Sequence, residues 1–133
     1  MATAEAGGLP IAVDVADASP HEITLVERAL DARFTAQRPR RLVADKAFDS
    51  DPPDRRLRRN RRITLIAPHR ANRTRPATQD GRPLRRMRRR WRVERLFAWL
   101  FNFRRLVVRY EYHLENYLGM LLLGCMLILI RRF

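Results

Sequence analysis

The chain has one cysteine, a single lysine (Lys46), five glycines and three histidines, and each scarcity removes a class of chemistry. Cys125 on its own excludes an intramolecular disulfide and a multi-cysteine metal site. Set in an apolar run, it reads as a buried structural thiol rather than a nucleophile. His21, His69 and His113 are isolated and lack metal-ligand spacing. There is no glycine-rich phosphate loop and no paired Ser/His or Cys/His signature. The one long apolar run, Tyr117 to Ile130 (YLGMLLLGCMLILI), is shorter than the roughly 18–20 residues that cross a bilayer. It reads as a buried helix, with a membrane anchor as the alternative. The N-terminus has neither a basic start nor an apolar core, so no signal peptide is read and a cytoplasmic protein is expected.

What is present is positive charge. A chain of 133 residues makes one small domain with a modest core. Its formal net charge of +14 and pI near 11.6 call for a polyanionic partner, nucleic acid first and an acidic membrane surface second. The charge is uneven: from Met1 to Asp31 the only Lys or Arg is Arg28. Almost all the cations are arginine, which grips phosphate bidentately and stacks on bases, although a GC-rich genome produces the same bias.

Along the chain, Leu9 to Val15 alternates weakly after Gly7-Gly8 and predicts a strand leaving a turn. Ser19-Pro20-His21-Glu22 reads as a helix start, with Ile23, Val26, Leu30 and Phe34 on one face. Arg41 to Ala44 predicts a short strand that ends at Asp45. Asp51-Pro52-Pro53-Asp54 caps a basic helix through Asn60, and Ile63 to Ala67 predicts another strand. The order strand, helix, strand, helix, strand implies an α/β domain with some parallel pairing. His69 to Pro83 reads as a loop. Two long helices are predicted after it, from near Leu84 to Val108 and from near Glu115 to Arg131.

Two carboxylates stand out. Asp45 lies at the carboxyl end of a predicted strand, where α/β sheets place active residues, and a cap or turn role is the alternative. Asp49 and Asp51 are nearby, Asp51 reading as the cap before the proline pair. Glu94 sits in Arg88-Arg89-Arg90-Trp91-Arg92-Val93-Glu94-Arg95-Leu96-Phe97-Ala98-Trp99, among arginines and aromatics, where burying a charge is costly unless it is paired or holds a metal. Arg90 precedes it by four residues and shares its helical face, so a structural ion pair is the competing reading. Arg104, Arg105 and Arg109 continue the basic face, with Trp99, Phe101 and Phe103 between. Metal-ion phosphoryl transfer through carboxylates is the one enzyme chemistry this inventory supports.

The block Leu42-Val43-Ala44-Asp45-Lys46-Ala47-Phe48-Asp49-Ser50 resembles the "LVADKAYDS" block of bacterial insertion-sequence DDE transposases, the group named after insertion sequence 5. Arg88 to Leu100, continued by Asn102-Phe103-Arg104-Arg105-Leu106-Val107-Val108-Arg109-Tyr110-Glu111, is similar to that group's signature around its glutamate. Ala67-Pro68-His69-Arg70 and Glu115-Asn116-Tyr117-Leu118 match further blocks more loosely. The resemblance implies an α/β, ribonuclease-H-like fold, a mixed sheet with flanking helices and long C-terminal helices. It implies Asp45 as second aspartate, Glu94 as metal-binding glutamate and Arg90 as their basic partner. Mg²⁺ or Mn²⁺ would be the cofactor, as two ions about 3.5–4 Å apart that activate the attacking oxygen and stabilise the leaving one. The attacking groups would be water and then a DNA 3′-hydroxyl. Arg88, Arg89, Arg92, Arg95, Arg104, Arg105 and Arg109 would bind transposon-end DNA. The chain departs from the wider Tyr-Arg-Glu-Lys pattern at Met87 and Phe101, with Arg104 and Arg105 as candidate substitutes.

The family's first aspartate lies upstream of a Gly-Leu-Pro turn, matched here by Gly8-Leu9-Pro10. Residues 1–133 are therefore expected to be the C-terminal part of a transposase catalytic domain, without the first aspartate, its strand and any N-terminal DNA-binding region. Such a chain would be inactive alone. It would work with an upstream transposase fragment or as a homo-oligomer, as one product of a two-frame element, or persist as a remnant. The alternative is a non-enzymatic basic DNA-binding competitor of the full enzyme.

Overall fold

A computed structural model of the chain describes residues 1–16, 24–36, 38–79 and 81–132. Its first feature is a hairpin. β1 (Ala2–Ala4) pairs antiparallel with β2 (Pro10–Val13) through a turn closed by Gly8 N–H to Glu5 O at 2.9 Å. No strand is predicted before Gly7-Gly8, because Ala-Thr-Ala carries no apolar alternation; β1 exists through its pairing with β2. Gly8 has φ +90°, a conformation that side chains resist. The space a Cβ would fill there holds the Arg95 guanidinium, with Nη2 at 2.5 Å.

Next come α1 (Leu25–Asp31), β3 (Arg41–Val43), α2 (Asp51–Arg56) and β4 (Thr64–Ile66). The predicted helix start at Ser19 lies outside the described residues. α1 buries Val26, Ala29 and Leu30, whereas Phe34 falls past its end and is 40% exposed, off the core face. α2 begins with Pro52 in its first turn, and Ser50, not Asp51, occupies the cap. The chain then widens into a π-type turn, Leu57–Arg61, which ends at Arg62 in the left-handed region at φ 57°. β3 and β4 pair in parallel, Leu42 beside Leu65, in agreement with the predicted parallel element.

The remainder is helical: α3 (Gly81–Leu84), a 3₁₀ stretch Arg85–Arg89, α4 (Trp91–Leu100), α5 (Arg104–Val107) and α6 (Leu114–Ile130). The single helix predicted from Leu84 to Val108 is therefore wrong. Five arginines between Arg85 and Arg90 repel one another at helical spacing and the backbone tightens there. A second break at Phe101–Phe103 turns Leu106 back onto the same core as Leu100. The predicted C-terminal helix stands, and no helix among the described residues is long and apolar enough to cross a membrane.

The α/β character is as expected, but the strands form two separate two-stranded sheets, not one mixed sheet. Each sheet has its own core. β2 supplies Val13 to a core with Leu96, Leu100, Leu106, Cys125 and Ile128. Val26, Leu30, Leu57, Ile63 and Leu65 make the other. Gly124 lets α6 approach closely, since an added Cβ would lie 3.2 Å from Leu106 and 3.3 Å from Leu100. Burial pushes the Cys125 thiol up to about 11, which marks it as structural. The buried Asp14 joins the halves: both of its carboxylate oxygens lie 2.9 Å from the Arg28 guanidinium.

Opposite substitutions separate the two left-handed positions. Gly8→Ala is expected to cost about 1–3 kcal/mol, because it strains the turn and displaces Arg95. Arg62→Gly relieves a strained side-chain-bearing residue and is expected to gain about 0.5–1 kcal/mol. Urea denaturation followed by tryptophan fluorescence reads both; a neutral Gly8→Ala would contradict the turn geometry.

Candidate active site

The parallel pair sets the site. β3 and β4 run in the same direction, so the segments leaving their carboxyl ends, Asp45–Ser50 and Ala67–Arg73, lie side by side. Asp45 is half-buried and caps the 3₁₀ turn Lys46–Phe48, its carboxylate accepting from Ala47 N–H at 2.8 Å. The cap role and the strand-end position thus coexist.

Asp49 is the more deeply held carboxylate. Its Oδ1 is 2.8 Å from His69 Nδ1 and 2.8 Å from Arg73 Nη1, and its Oδ2 accepts from Arg70 N–H at 2.8 Å. Arg73 spans to Asp51 with Nη2–Oδ1 at 2.8 Å. Thr78 N–H donates to His69 Nε2 at 3.2 Å, so the imidazole accepts there and donates from Nδ1 to Asp49. Burial alone would raise the Asp49 pKa. The Arg70 amide, His69 and Arg73 outweigh it and hold the carboxyl below its ordinary range. Asp51 is also held low, chiefly by its hydrogen bond to Arg73. This cluster was not predicted: His69 and Asp49 are isolated in sequence, and only the parallel pairing brings them together.

Glu94 lies elsewhere. Helical periodicity turns Leu96 and Leu100 inward and leaves Glu94 on the outer face, 57% exposed. The expectation of a carboxylate enclosed by apolar residues is therefore corrected. Glu94 instead forms an i,i+4 pair with Arg90, Nη2–Oε1 2.6 Å, in the first turn of α4. Asp45 and Arg90 line a common cavity of about 1140 Å³, together with Arg86, Arg89 and Arg92; Glu94 is not part of that lining. Among the described residues no group of three His, Cys, Asp or Glu side chains is gathered as a metal ion requires. Asp45 and Glu94 do not by themselves make a metal centre.

The arginines divide by engagement. Arg88, Arg89 and Arg104 project into solvent. Arg95 stacks between Trp91 at 4.7 Å and Trp99 at 4.8 Å and donates to Gly7 O at 2.5 Å, so it clamps α4 onto the hairpin turn. Arg92 lies 5.9 Å from the Trp91 ring. Arg105 reaches Glu111 at 3.7 Å, and Arg109 donates to Glu111 O and Tyr112 O at 3.0 and 3.2 Å. Phe103 packs on the first core, whereas Phe101 is exposed.

The family model for the Transposase DDE domain matches residues 1–130. Over 132 residues the chain is 34% identical to a protein of Burkholderia cepacia described as a putative transposase for insertion sequence element IS402, covering 93% of this chain and 58% of that one. The chain thus spans a little over half the length of the curated relative it matches. No solved structure matches it.

Asp49→Asn is expected to cost about 1.5–3 kcal/mol, since it weakens a carboxylate that three donors share. The sign of the pH effect follows from the lowered pKa. Asp49 and Asp51 contribute stability that is complete above the ordinary aspartate range near 4 and is lost as pH falls through their lower folded values. Urea midpoints between pH 2 and 6 test this, and the acid-side decline is expected to be shallower in Asp49→Asn.

Proposed function

Because the chain belongs to the Transposase DDE domain family, we propose that it acts in DNA transposition as the C-terminal part of a catalytic domain with a ribonuclease-H-like fold. Under this reading the first aspartate and the N-terminal DNA-binding region lie outside residues 1–133, and an upstream transposase segment completes the site. The observation that carries the proposal is the convergence of Asp45, at the end of a parallel strand, with Arg86, Arg89 and Arg90 on one cavity. That is a carboxylate facing phosphate-binding groups, the arrangement that strand cleavage and transfer on DNA need. Arg90 neutralises charge near the reacting phosphate, and Arg88, Arg89 and Arg104 grip the backbone, with Arg92, Arg95, Arg105 and Arg109 as further contacts. Glu94 is the second carboxylate that this chain contributes. Mg²⁺ or Mn²⁺ would be held only in the completed site, by Asp45, Glu94 and a carboxylate from outside these residues.

A second reading is favoured by the Arg90–Glu94 pair, which occupies the glutamate. In it the chain is a basic DNA-binding competitor without chemistry of its own.

Duplex DNA binding by the 133-residue chain is expected to weaken by about 10³-fold or more between 50 and 200 mM salt. Replacing Arg88, Arg89 and Arg104 by alanine is expected to reduce the salt slope by about three. No strand cleavage is expected with Mg²⁺ from this chain alone, and cleavage is expected once the upstream part of the transposase is added. Mg²⁺-dependent cleavage by the chain alone, abolished in Glu94→Gln, would overturn the need for completion. No cleavage after addition would leave the competitor reading in possession.

A further inference from the structure

The loop 108–113, between α5 and α6, leaves two aromatic rings in water. Of the three tyrosines, Tyr117 packs on the first core and donates its hydroxyl to Leu106 O at 3.1 Å. Tyr110 and Tyr112 instead are 76% and 90% exposed, with Val107 and Val108 exposed beside them in sequence. A tyrosine ring is a large apolar surface with one polar tip. Two such rings in one short loop form a patch that calls for a partner.

The loop is held rather than slack. Arg109 donates from Nε to Glu111 O at 3.0 Å and from Nη2 to Tyr112 O at 3.2 Å. Glu111, between the two rings, turns inward: its side chain is 10% exposed, and Oε1 lies 3.7 Å from Arg105 Nη1. Its Oε2 is buried without a hydrogen-bond partner among the described residues, so the backbone and not the carboxylate's own preference sets this turn. The Tyr112 ring meets His113 edge-on, with centroids 5.2 Å apart. Rings held out in advance lose little conformational freedom when something stacks on them.

The surrounding charge is positive. From Arg104 to Glu115 there are three arginines and two glutamates, and one of those glutamates, Glu111, faces inward. Arg104 projects into solvent, and the Arg105 side chain is 70% exposed.

We propose that Tyr110 and Tyr112 form a stacking platform for unpaired bases of a DNA strand whose phosphates lie on Arg104 and Arg105. A duplex keeps its base faces stacked on one another and offers phosphates and groove edges, which leaves both rings uncovered. An unpaired strand offers a π-face and a phosphate at every nucleotide, which matches rings interleaved with guanidiniums. Every base has such a face, so the platform selects DNA by its being unpaired and not by its sequence. The inference rests on the DNA reading above and adds to it the form of DNA that this loop takes.

Binding is measured with the full chain and a fluorescently labelled strand of about twelve nucleotides, its blunt duplex, and an abasic version of the strand. Tyr110→Ala and Tyr112→Ala are each expected to weaken strand binding about tenfold and to leave duplex binding within about twofold. Rings this exposed carry little packing, so both variants keep the fold. Tyr110→Phe and Tyr112→Phe are expected to bind as the unaltered chain does, because the ring face and not the hydroxyl is used. The abasic strand, which keeps its phosphates, is expected to bind the unaltered chain as weakly as the duplex does or more so. Unchanged strand binding in both alanine variants would overturn the platform, as would an equal loss on the duplex or full affinity for the abasic strand. Binding of the duplex but not of the strand would overturn the platform alone. Failure of the unaltered chain to bind either form would remove the DNA reading, and the platform with it.

Discussion

A chain with 28 Lys and Arg against 14 Asp and Glu cannot pair its cations, so where the carboxylates go decides how the molecule is held together. Several join elements distant in sequence. Asp14 ties β2 to Arg28 of α1, Glu27 ties α1 to Arg56 of α2, and Asp31 ties α1 to Arg61. Asp49 and Asp51 share Arg73 across the carboxyl ends of the parallel strands. Pairs on the open surface contribute only about 0–1 kcal/mol each. The Asp49 cluster is different, because its carboxylate is 7% exposed and its donors come from fixed backbone and ring positions. The uncommitted arginines are left to gather around the cavity and on the turn before α4.

This division explains what could be read in advance. The apolar runs of β3, β4 and α6 need no partner to be recognised, and each appears within a residue or two of its predicted span. Asp45 at the end of β3 follows from the same run. β1 is invisible because its residues have no pattern of their own and are extended only by β2. The interruption of the long helix was missed because no proline or glycine marks it. Like-charge crowding from Arg85 to Arg90 and the return of Leu106 to the core produce it instead. Glu94 was misplaced because composition placed it among aromatics, whereas a helix sorts by angle: Leu96 and Leu100 turn inward and Glu94 does not. The His69–Asp49 contact joins residues 20 apart and depends on a parallel register that no local motif announces.

The candidate site therefore rests on two elements with different constraints. Asp45 belongs to the parallel pair, fixed by ladder hydrogen bonds and by the Asp49 cluster beside it. Glu94 belongs to a ten-residue helix held from below by Leu96 and Leu100 and from the side by Arg95, which stacks on two tryptophans and grips Gly7 O. The cavity separates these supports, so their relative placement depends on the hairpin turn that Arg95 clamps to α4. Arg95 is consequently a structural clamp, and replacing it would loosen the hairpin turn together with any DNA contact proposed for it.

Cys125 gives the first core a built-in witness. With the thiol pushed up to about 11, only on the order of one molecule in 10⁴ carries a thiolate at neutral pH, and that sulfur is enclosed by the packing of α6 on α4 and α5. A thiol reagent added to the folded protein therefore reacts only through openings in which α6 lifts away, and where reclosing outpaces the reagent its rate reports the population of that open form. Because the chain has no other cysteine, that rate carries no background from elsewhere in the molecule.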